Sequence, residues 1–473
     1  MTLRDLFGAE QPPVPVTQMA FDDRLVAPGT VFFCVPGFTR DGHDFAAQAV
    51  ARGAAALVVQ RPLDDPALAG VPQVLVDDVR AAMAPAAAAL HGDPTARLVT
   101  AGITGTNGKT TTAYLLRALL TGGGLRTGLL GTVSSVVGGV EEPTQRTTPE
   151  AIDLQRTFAA MLEAGDDHCV MEVSSHALAL GRADAIHWAV AVFTNLSQDH
   201  LDFHRDMEHY FAAKRRLFEA AEGPSVVNVD DAYGARLAEE MHDVVTVGLQ
   251  AGAQVRATDV SFGLAGSAFT LDGARLRVGL PGRFNVVNAL GAIGAARALG
   301  VTDAAIAAAL PRAGRAPGRF EPVDEGQDFA VLVDYAHTPD GLENVLRAAR
   351  ELAGEARVLA VFGAGGDRDR GKRPLMGAAA ASLADLAIVT SDNPRSEDPA
   401  TIVAEVLAGA GPTATAVVDR REAIAHAVGL ARPGDVVVIA GKGHEQGQEF
   451  AGGRKEPFDD VVVAREALRA RAA

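Results

Sequence analysis

The 473-residue sequence predicts an α/β protein with about three domains. Short apolar runs rich in Val, Ile and Leu alternate with Ala- and Leu-rich helical stretches along most of the chain. Alternation of strand and helix predicts parallel sheets whose strands are connected by helical crossovers. The predicted strands are AALVV (55–59), VLVDD (74–78), LVTAGITG (98–105), VAVFTNL (190–196), FAVLVDY (329–335), RVLAVFG (357–363), LAIVTS (386–391) and DVVVIAG (435–441).

Two segments rich in Pro and Gly interrupt this alternation and predict the domain boundaries. HGDPTARL (91–98) follows an Ala-rich helix, and PRAGRAPGRFEPV (311–323) follows the helical stretch NVVNALGAIGAARAL. Because Pro and Gly favour turns and loops, we place linkers there. The expected domains are an N-terminal α/β domain (1–92), a central nucleotide domain (93–312) and a C-terminal α/β domain (313–473).

Composition narrows the classes of function. Apolar residues make up 48% of the chain and charged residues 22%, an ordinary globular balance. The net charge of −16 argues against nucleic acid as a partner, because neutralising phosphates requires a basic surface. Cys34 and Cys169 form no CxxC pair, so neither a disulfide framework nor a zinc ribbon is expected.

The N-terminal run MTLRDLFGAEQPPVPV lacks the basic segment and long apolar run of a secretion signal. No stretch approaches the roughly 18 consecutive apolar residues of a membrane span. We therefore expect a cytoplasmic protein without a membrane span, and a monomer.

A phosphate-binding loop is predicted in LVTAGITGTNGKTTTAYLLRAL, which has an apolar strand, a glycine turn and a helix in sequence. Backbone N–H groups of such a turn and of the helix N-terminus favour phosphate oxygens. Lys109 can reach the β- and γ-phosphates, and the Thr110 hydroxyl can bind Mg²⁺. The general pattern GxxxxGK[ST] has glycine where this chain has Ile103, so the spacing here is shorter. The competing interpretation is a plain glycine turn with a surface lysine.

The run GTNGKTT resembles the ATP loop of the Mur ligases and of their folylpolyglutamate synthetase relatives. Further motifs in the family's order cover nearly the whole chain. The resemblance implies ATP as substrate and a central parallel-sheet nucleotide domain of the P-loop type, flanked by N-terminal and C-terminal Rossmann-like α/β domains. It also implies an adenine contact from RFNVVNALGAI (283–293) and ATP contacts from APGRFE and VDYAHTPD. The expected ATP-binding residues are Gly105, Thr106, Asn107, Gly108, Lys109, Thr110, Thr111, Asn288, Arg319, Asp334 and His337.

Metal ligands are expected around this loop. Glu172 lies near the end of an apolar run in MEVSSHAL, and Mg²⁺ prefers hard oxygen ligands such as Glu172 and Thr110. The resemblance adds His200 as a ligand of a second Mg²⁺ and assigns Lys214 as a lysine carbamylated by CO₂, which makes it an anionic oxygen donor. It places Lys109, His200 and Lys214 at the catalytic centre. Without the family, Lys214 would belong to a solvated basic face, and His200 would be a helix cap or core histidine.

The acceptor site is assigned by resemblance. QRTTPE (145–150) resembles the segment that holds the UDP-muramoyl-dipeptide, which implicates Thr147 and Thr148. Ser174 and Arg182 belong to the same site, where a hydroxyl can hydrogen-bond the peptide or sugar and a guanidinium can pair with a carboxylate or phosphate. Residues 21–45 resemble the uridine-binding domain, with Asp23 where many relatives have serine. We interpret His43 as the anchor of a turn.

Three C-terminal segments resemble the site for the incoming amino acid: GAGGDRDRGKRP (363–374), SDNPRSEDP (391–399) and AGKGHEQ (440–446). DNPR is typical of the family members that add diaminopimelate. Arg395 can offer the far carboxylate of diaminopimelate a planar two-donor fork, and its charge disfavours lysine. The expected contacts are Arg368, Asp392, Asn393, Arg395, Gly441 and Glu445.

The resemblance therefore implies a ligase that adds meso-diaminopimelate to UDP-N-acetylmuramoyl-L-alanyl-D-glutamate through an acyl phosphate. Three alternatives stay open. A lysine- or ornithine-adding relative differs only at the amino-acid site, and a folylpolyglutamate-type ligase shares the ATP loop. The third is a catalytically idle nucleotide-binding regulator.

Overall fold

A computed structural model describes residues 1–37, 40–144, 146–412 and 414–472. Phe38 and Thr39 of the 21–45 segment, and Gln145 of QRTTPE, lie outside the described residues. The chain forms two compact units. The first comprises Met1–Gly102, Leu125–Ala189 and Glu219–Gly223, and the second comprises Ile103–Gly124, Val190–Phe218 and Pro224–Ala473.

The N-terminal part of the first unit is a small parallel sheet with short helices. Its elements are α1 (Leu3–Phe7), β1 (Gln18–Ala20), β2 (Thr30–Phe33), α2 (Ala46–Ala51), β3 (Ala54–Val59), β4 (Gln73–Leu75) and α3 (Val79–Leu90). The strand order is β1-β2-β3-β4, and every neighbouring pair is parallel. β2 is buried throughout, as expected for a parallel strand covered on both faces.

The middle of the chain contains the strands and helices that carry most of the predicted nucleotide residues. They are β5 (Val99–Thr104), α4 (Lys109–Gly122), β6 (Thr127–Leu130), β7 (Ser134–Val137), β8 (Val140–Pro143), α5 (Ala151–Glu163), β9 (His168–Glu172), α6 (Ser175–Ala179), β10 (Trp188–Phe193), α7 (Met207–Glu219), β11 (Ser225–Asn228), α8 (Ala232–Glu240), β12 (Val244–Gly248), β13 (Val255–Arg256), β14 (Thr258–Gly263), β15 (Gly266–Leu271), β16 (Ala274–Val278), α9 (Arg283–Ala298) and α10 (Asp303–Ala309).

Pairing within each unit combines parallel and antiparallel strands. In the first unit β9 and β6 are parallel, while β7 and β8 continue from β6 as antiparallel strands. In the second unit β10, β11, β12 and β13 are parallel, and β14, β15 and β16 form an antiparallel meander. The sequence predicted β5 and the parallel strand β10 but neither set of antiparallel strands.

The C-terminal part of the second unit is a doubly wound sheet. Its elements are β17 (Glu321–Pro322), β18 (Ala330–Asp334), α11 (Pro339–Ala353), β19 (Val358–Phe362), α12 (Lys372–Leu383), β20 (Leu386–Val389), α13 (Pro399–Ala410), β21 (Thr415–Ala416), α14 (Arg420–Leu430), β22 (Val436–Ala440), β23 (Gly447–Glu449), β24 (Lys455–Pro457) and α15 (Asp460–Ala472). The order is β17-β18-β22-β19-β20-β21, in which only β17 is antiparallel.

Alternate residues of the central strand β22 face opposite sides of this sheet. Val436, Val438 and Ala440 pack in one core cluster with α11, α12 and α13, while Val437 and Ile439 pack in another with α14 and α15. Because neighbouring strands are parallel, the carboxyl ends of β18, β19, β20 and β22 lie at one edge. Ligands of open α/β sheets bind at this edge.

The predicted α/β class is confirmed. The boundaries predicted at 92/93 and 312/313 fall between α3 and β5 and between α10 and β17. Their exact positions stay a prediction. Cys34 and Cys169 are both buried and free. No helix among the described residues is long and apolar enough to cross a membrane.

Candidate active site

The turn between β5 and α4, hereafter the phosphate loop (residues 105–108), requires glycine at both ends. Gly105 has a φ of +147° and Gly108 a φ of +85°, conformations that L side chains rarely adopt. A Cβ on Gly105 would lie 1.9 Å from the Thr194 hydroxyl, and a Cβ on Gly108 would lie 2.3 Å from Asn288 Oδ1. Asn288, the predicted adenine contact, therefore lies directly beside the phosphate loop.

The segment that follows β10 holds the phosphate loop through hydrogen bonds. The Asn195 carbonyl accepts a hydrogen bond from Thr106 N, and Asn195 Oδ1 accepts one from Asn107 N, both at 2.9 Å. The Thr194 hydroxyl donates to the Asn107 carbonyl at 2.6 Å. Sequence reasoning missed Thr194 and Asn195, although both lie in the predicted strand run VAVFTNL. These bonds hold the loop in one conformation before a phosphate arrives.

Residues predicted to bind ATP from two parts of the chain meet at the start of α4. Lys109 Nζ donates to the carbonyls of Gly105 and Thr106, each at 2.8 Å. Arg319 Nη2 donates to the Thr110 hydroxyl at 3.1 Å, and its guanidinium lies 4.3 Å from the centre of the Tyr335 ring. These contacts hold the Lys109 ammonium against the loop, as the assignment to ATP binding expects.

Lys214 is buried, with 1% of its surface exposed. Its Nζ donates to the Gly105 carbonyl at 2.8 Å and lies 4.6 Å from the centre of the Tyr210 ring. Burial, together with the charge of Lys109, lowers the pKa of Lys214 well below its usual range, although Asp199 acts in the opposite direction. The solvated basic face considered for Lys214 is therefore excluded. A lowered pKa favours the neutral amine, and the neutral amine is the form that can attack CO₂.

His200 and His337 meet at a carboxylate that the sequence did not single out. His200 Nε2 lies 3.4 Å and His337 Nε2 3.8 Å from Asp199 Oδ2, and Lys372 Nζ lies 3.5 Å from Oδ1. Burial acts to raise the pKa of Asp199, but the charges of Lys372, His200 and His337 hold it below its usual range. We call Asp199, His200, His337 and Lys372 the Asp199 cluster.

Asp334 supports the strand end beside this cluster. Its Oδ2 accepts a hydrogen bond from Phe320 N and its Oδ1 one from Ala336 N, both at 2.7 Å. Burial raises the pKa of Asp334, against the effect of Arg319 and of these two bonds. Asp334 therefore links the segment that carries Arg319 to the turn that carries His337.

The loops after β19, β20 and β22 bring the predicted amino-acid contacts together. We call these side chains, with one addition, the strand-end cluster: Arg368, Asp392, Asn393, Arg395, Lys442 and Glu445. Asn393 Nδ2 donates to Glu445 Oε2 at 2.8 Å. The addition is Lys442, whose fully buried Nζ lies 2.7 Å from Asn393 Oδ1, 3.2 Å from Glu445 Oε2 and 3.4 Å from Asp392 Oδ1.

Arg395 is held in place at its backbone and at its side chain. It has a φ of +49°, and its N–H donates to the Glu449 carbonyl at 3.0 Å. Arg395 Nε donates to Glu449 Oε2 at 3.1 Å and Nη1 to the Gly366 carbonyl at 2.7 Å. A Cβ on Gly365 would lie 3.1 Å from Arg395 Nη1 and 3.9 Å from the Cγ of exposed Arg368. Both arginines therefore border the same glycine.

The scarcity of lysine in the sequence could have indicated Lys372 and Lys442 as candidate site residues. Only five of the 43 basic residues are lysines, and four of the five are Lys109 directly after the phosphate loop, the buried Lys214, Lys372 of the Asp199 cluster and Lys442 of the strand-end cluster. Lysine differs from arginine in being a compact point charge that can also react as a neutral amine. A chain that otherwise uses arginine therefore retains lysine at its candidate site.

The predicted acceptor residues Thr147, Thr148 and Ser174 lie in the first unit with Glu172. The Thr148 hydroxyl donates to the Glu172 carbonyl at 2.9 Å and accepts from Ser174 N at 3.1 Å. Thr132 N donates to Glu172 Oε1 at 2.7 Å, and the hydroxyls of Thr132 and Thr147 are 3.0 Å apart. These hydroxyls form one polar group around Glu172.

Arg182 contacts the buried carboxylate of Glu150 at 3.0 Å. Arg146 and Arg80 also reach Glu150, at 3.2 and 3.5 Å. Burial lowers the pKa of Arg182, and the two neighbouring arginines add to this effect while Glu150 opposes it. Three guanidinium groups against one carboxylate leave a local excess of positive charge, which suits an anionic ligand.

The predicted uridine contact Asp23 pairs with Arg52 at 3.5 Å. His43 has both ring nitrogens engaged, with Asp41 Oδ1 at 2.6 Å and Gln60 N at 3.0 Å. This arrangement is that of a residue that anchors a turn.

Across the described ranges, no group of three or more His, Cys, Asp and Glu side chains converges as a metal site. Magnesium commonly uses one or two carboxylates together with water and substrate phosphates, so a preformed cage is not required. The Thr110 hydroxyl and His200 of the second unit can serve such an ion.

His187 forms a pH-sensitive contact in the first unit. Its Nδ1 lies 2.6 Å from Glu222 and its Nε2 3.2 Å from Asp93. The hydrogen bond to Glu222, followed by that to Asp93, raises the pKa of His187 against the effect of burial. A raised pKa in the folded state stabilises the fold at pH values below the unfolded pKa, and this contribution is lost as pH rises through the folded value.

We therefore expect His187→Gln to lower the thermal stability at about pH 6 and to have little effect at about pH 9. The side chain is 42% exposed, so solvent screening limits the difference to about 1 kcal/mol or less. Thermal unfolding at both pH values measures it, with His242→Gln as the control for an exposed histidine. A loss of stability that is equal at the two pH values would contradict the assignment.

Comparison with known proteins gives consistent matches along the chain. Residues 15–91 match the Mur ligase family catalytic domain, residues 103–296 the Mur ligase middle domain, and residues 318–443 the Mur ligase glutamate ligase domain. A UDP-N-acetylmuramoyl-L-alanyl-D-glutamate--2,6-diaminopimelate ligase of Syntrophomonas wolfei is 46% identical over 96% of this chain and 95% of its own length.

Solved structures of Mur ligases also match the chain along nearly its whole length. The structure of a UDP-N-acetylmuramoyl-L-alanyl-D-glutamate--2,6-diaminopimelate ligase is 34% identical, with a TM-score of 0.70 over 100% of this chain and 99% of that one. A MurF ligase from Thermotoga maritima in complex with ADP has a TM-score of 0.68 at 18% identity, over 96% of this chain and 98% of that one. The second likeness concerns the fold alone.

Proposed function

The chain belongs to the Mur ligase family, and we propose that it joins meso-diaminopimelate to UDP-N-acetylmuramoyl-L-alanyl-D-glutamate at the expense of ATP, a step in the synthesis of peptidoglycan precursors. The Syntrophomonas wolfei relative and the 34%-identical structure carry the name of this ligase. The observation that carries the proposal is the strand-end cluster, where Arg395 and Glu445 offer charges of opposite sign to a zwitterionic side chain.

The three-domain α/β fold is confirmed by three successive family matches and by the 34%-identical structure. We propose domain boundaries at 92/93 and 312/313. The residues assigned to ATP, to the acceptor and to the amino acid are likewise part of the proposal. A cytoplasmic location fits a ligase that consumes ATP.

In the first step the γ-phosphoryl group of ATP passes to the D-glutamate carboxylate of the acceptor. The bond to the β-phosphate oxygen breaks, a bond to the carboxylate oxygen forms, and ADP leaves. Such transfer depends on positioning and on charge stabilisation. Lys109 and the backbone N–H groups at the start of α4 bind phosphate oxygens, and Arg319 reaches the same region through Thr110. The N-terminus of α4 adds a favourable dipole.

In the second step the amine of diaminopimelate attacks the acyl phosphate. A C–N bond forms, the C–O bond to phosphate breaks, and inorganic phosphate leaves with the amine proton passing to solvent or phosphate. Glu445 is suited to an ammonium group of the substrate and Arg395 to its far carboxylate. Lys442 keeps Glu445 and Asn393 in place.

Magnesium, when bound, offsets negative charge on the triphosphate and on the transferred group. In the second unit we assign Thr110 and His200 as ligands, together with Lys214 once it is carbamylated. The buried position of Lys214 beside the Gly105 carbonyl fits an anionic oxygen donor at the phosphate loop. In the first unit, Glu172 is the assigned carboxylate ligand.

The proposal is tested by phosphate release with ATP, Mg²⁺ and UDP-N-acetylmuramoyl-L-alanyl-D-glutamate, comparing meso-diaminopimelate, L-lysine and L-ornithine. We expect release only with diaminopimelate, and a product whose mass equals that of the tripeptide precursor. Preference for lysine or ornithine would retain the ligase and overturn the amino-acid assignment. No turnover with any of the three would return the regulator and the folylpolyglutamate-type ligase to consideration.

A further inference from the structure

Arg420 and Asp460 form a buried ion pair beneath the strand-end cluster. Arg420 is the first residue of α14 and Asp460 the first residue of α15, and neither side chain is exposed. Arg420 Nε donates to Asp460 Oδ1 at 2.8 Å and Nη2 to Oδ2 at 2.7 Å. Burial acts to lower the pKa of Arg420, but Asp460 raises it, so the guanidinium stays charged.

The donors that remain on Arg420 reach two strand ends. Nη2 donates to the Ala440 carbonyl at 3.0 Å and Nη1 to the Ser391 carbonyl at 3.4 Å. Ala440 directly precedes Gly441, and Ser391 directly precedes Asp392. One guanidinium therefore binds both loops that carry five of the six predicted amino-acid contacts: Asp392, Asn393, Arg395, Gly441 and Glu445.

The same group acts on the cluster by its charge and by its position. Burial acts to raise the pKa of Asp392, but the charges of Lys442, Arg420 and His337 hold it below its usual value. A Cβ on Gly441, which has a φ of +123°, would lie 3.6 Å from Arg420 Nη2 and 3.5 Å from Asp392 Oδ2. Arg420 Nη2 and the Asp392 carboxylate therefore both lie next to Gly441.

Stability alone is a weak reason for this arrangement. Removing two charges from water costs free energy that their attraction only partly offsets, and apolar pairs of similar volume are often equally stable. A guanidinium offers what an apolar pair lacks, namely donors in fixed directions. Here those donors are directed at the carbonyls that begin the two loops.

We infer that Arg420, held by Asp460, is a positioning residue for the incoming amino acid. It fixes the distance between the loop of Asn393 and Arg395 and the loop of Glu445, so that both ends of the substrate side chain find their partners together. This inference rests on the proposed function. A misplacement of about 1 Å at such a site can cost about 100-fold in rate.

The test compares two double variants of matched design. Arg420→Met/Asp460→Leu removes the ion pair and its carbonyl contacts. Arg357→Met/Asp435→Leu removes an ion pair of the same sheet at the opposite strand ends, where Arg357 also donates to a carbonyl, that of Leu430. We expect the first variant to raise KM for diaminopimelate about tenfold or more, with KM for ATP and for the acceptor unchanged. The control variant should leave all three unchanged.

Equal changes of KM for diaminopimelate in the two variants would overturn the inference, as would a parallel rise in all three KM values of the first variant alone. If that variant does not fold, Arg420→Lys tests the inference instead, because lysine keeps the positive charge but lacks the planar guanidinium with its several donors. An unchanged KM for diaminopimelate in Arg420→Lys would also overturn the inference. Failure of the proposed function is a separate result, because the unaltered protein would then release no phosphate with diaminopimelate.

Discussion

Lys214→Ala is expected to lower diaminopimelate-dependent phosphate release by about two to three orders of magnitude. The Lys214 amine is buried against the Gly105 carbonyl at 2.8 Å, and its pKa is well below the usual range because of burial and of the Lys109 charge. A lowered pKa increases the fraction of the neutral amine, which is the form that can add CO₂. The resulting carbamate places an anionic oxygen donor at the phosphate loop, and alanine cannot form it.

Phosphate release under saturating substrates measures the loss, with Lys455→Ala as the matched control at an exposed lysine. Short carboxylates such as formate or acetate should partly restore the activity of Lys214→Ala, because they can occupy the vacated space and supply the missing oxygen. Protein incubated with ¹³C-bicarbonate should show a carbamate carbon in its NMR spectrum. Loss of activity with neither rescue nor a carbamate signal would mean that Lys214 acts as an amine.

The elements that the sequence predicted well are those whose signal is local. Parallel strands such as β10 and β22 are buried along most or all of their length and appear as continuous apolar runs. The glycine turn before Lys109 was predicted from a short motif, because glycine is needed where φ is positive. The meander β14, β15 and β16 was missed, since its alternating and partly exposed residues form no long apolar run.

The parts of the site that the sequence did not predict depend on contacts between distant segments. Asp199 lies close to His200 in its own turn, to His337 after the end of β18 and to Lys372 at the start of α12. Nothing in the local pattern around Asp199 predicts that two imidazoles and one ammonium group converge on it. Arg420 and Asp460 are likewise ordinary first residues of helices in the sequence, and only the packing of α14 and α15 brings them together.

Arg395 was predicted as a contact from its motif, but the structure adds which of its donors are engaged. Nε is bound by Glu449 and one hydrogen of Nη1 by the Gly366 carbonyl. If the proposed function holds, the donors that remain for a substrate carboxylate are those at the end of the guanidinium formed by Nη1 and Nη2. This geometry makes the effect of substitution specific to a substrate that carries a carboxylate at its far end.

Arg395→Met is accordingly expected to lower kcat/KM for meso-diaminopimelate by about 100-fold or more. The far carboxylate of the substrate would lose its hydrogen-bond donors, and with them the site would lose its preference for a substrate that carries this carboxylate. KM for ATP should not change. Turnover with L-lysine, which we expect to be absent in the unaltered protein, should not fall and can appear in the variant, since the variant removes a positive charge that repels the lysine ammonium. Competition between the two amino acids, followed by product mass, measures the change in preference directly.

Arg395→Lys separates charge from geometry in the same assay. It keeps the positive charge and loses the planar fork, so we expect it to recover only part of the preference for diaminopimelate. Arg368→Ala is the comparison, because Arg368 is also an assigned contact and borders the same glycine, but it is exposed and donates to its neighbour's carbonyl. A contradicting result would be that Arg395→Met and Arg368→Ala reduce kcat/KM for diaminopimelate equally and that both keep the preference for diaminopimelate over lysine. The preference would then arise from the summed positive charge of the strand-end cluster. The bound Nε and Nη1 of Arg395 favour the other outcome, because a guanidinium held at two points offers its remaining donors in one direction only.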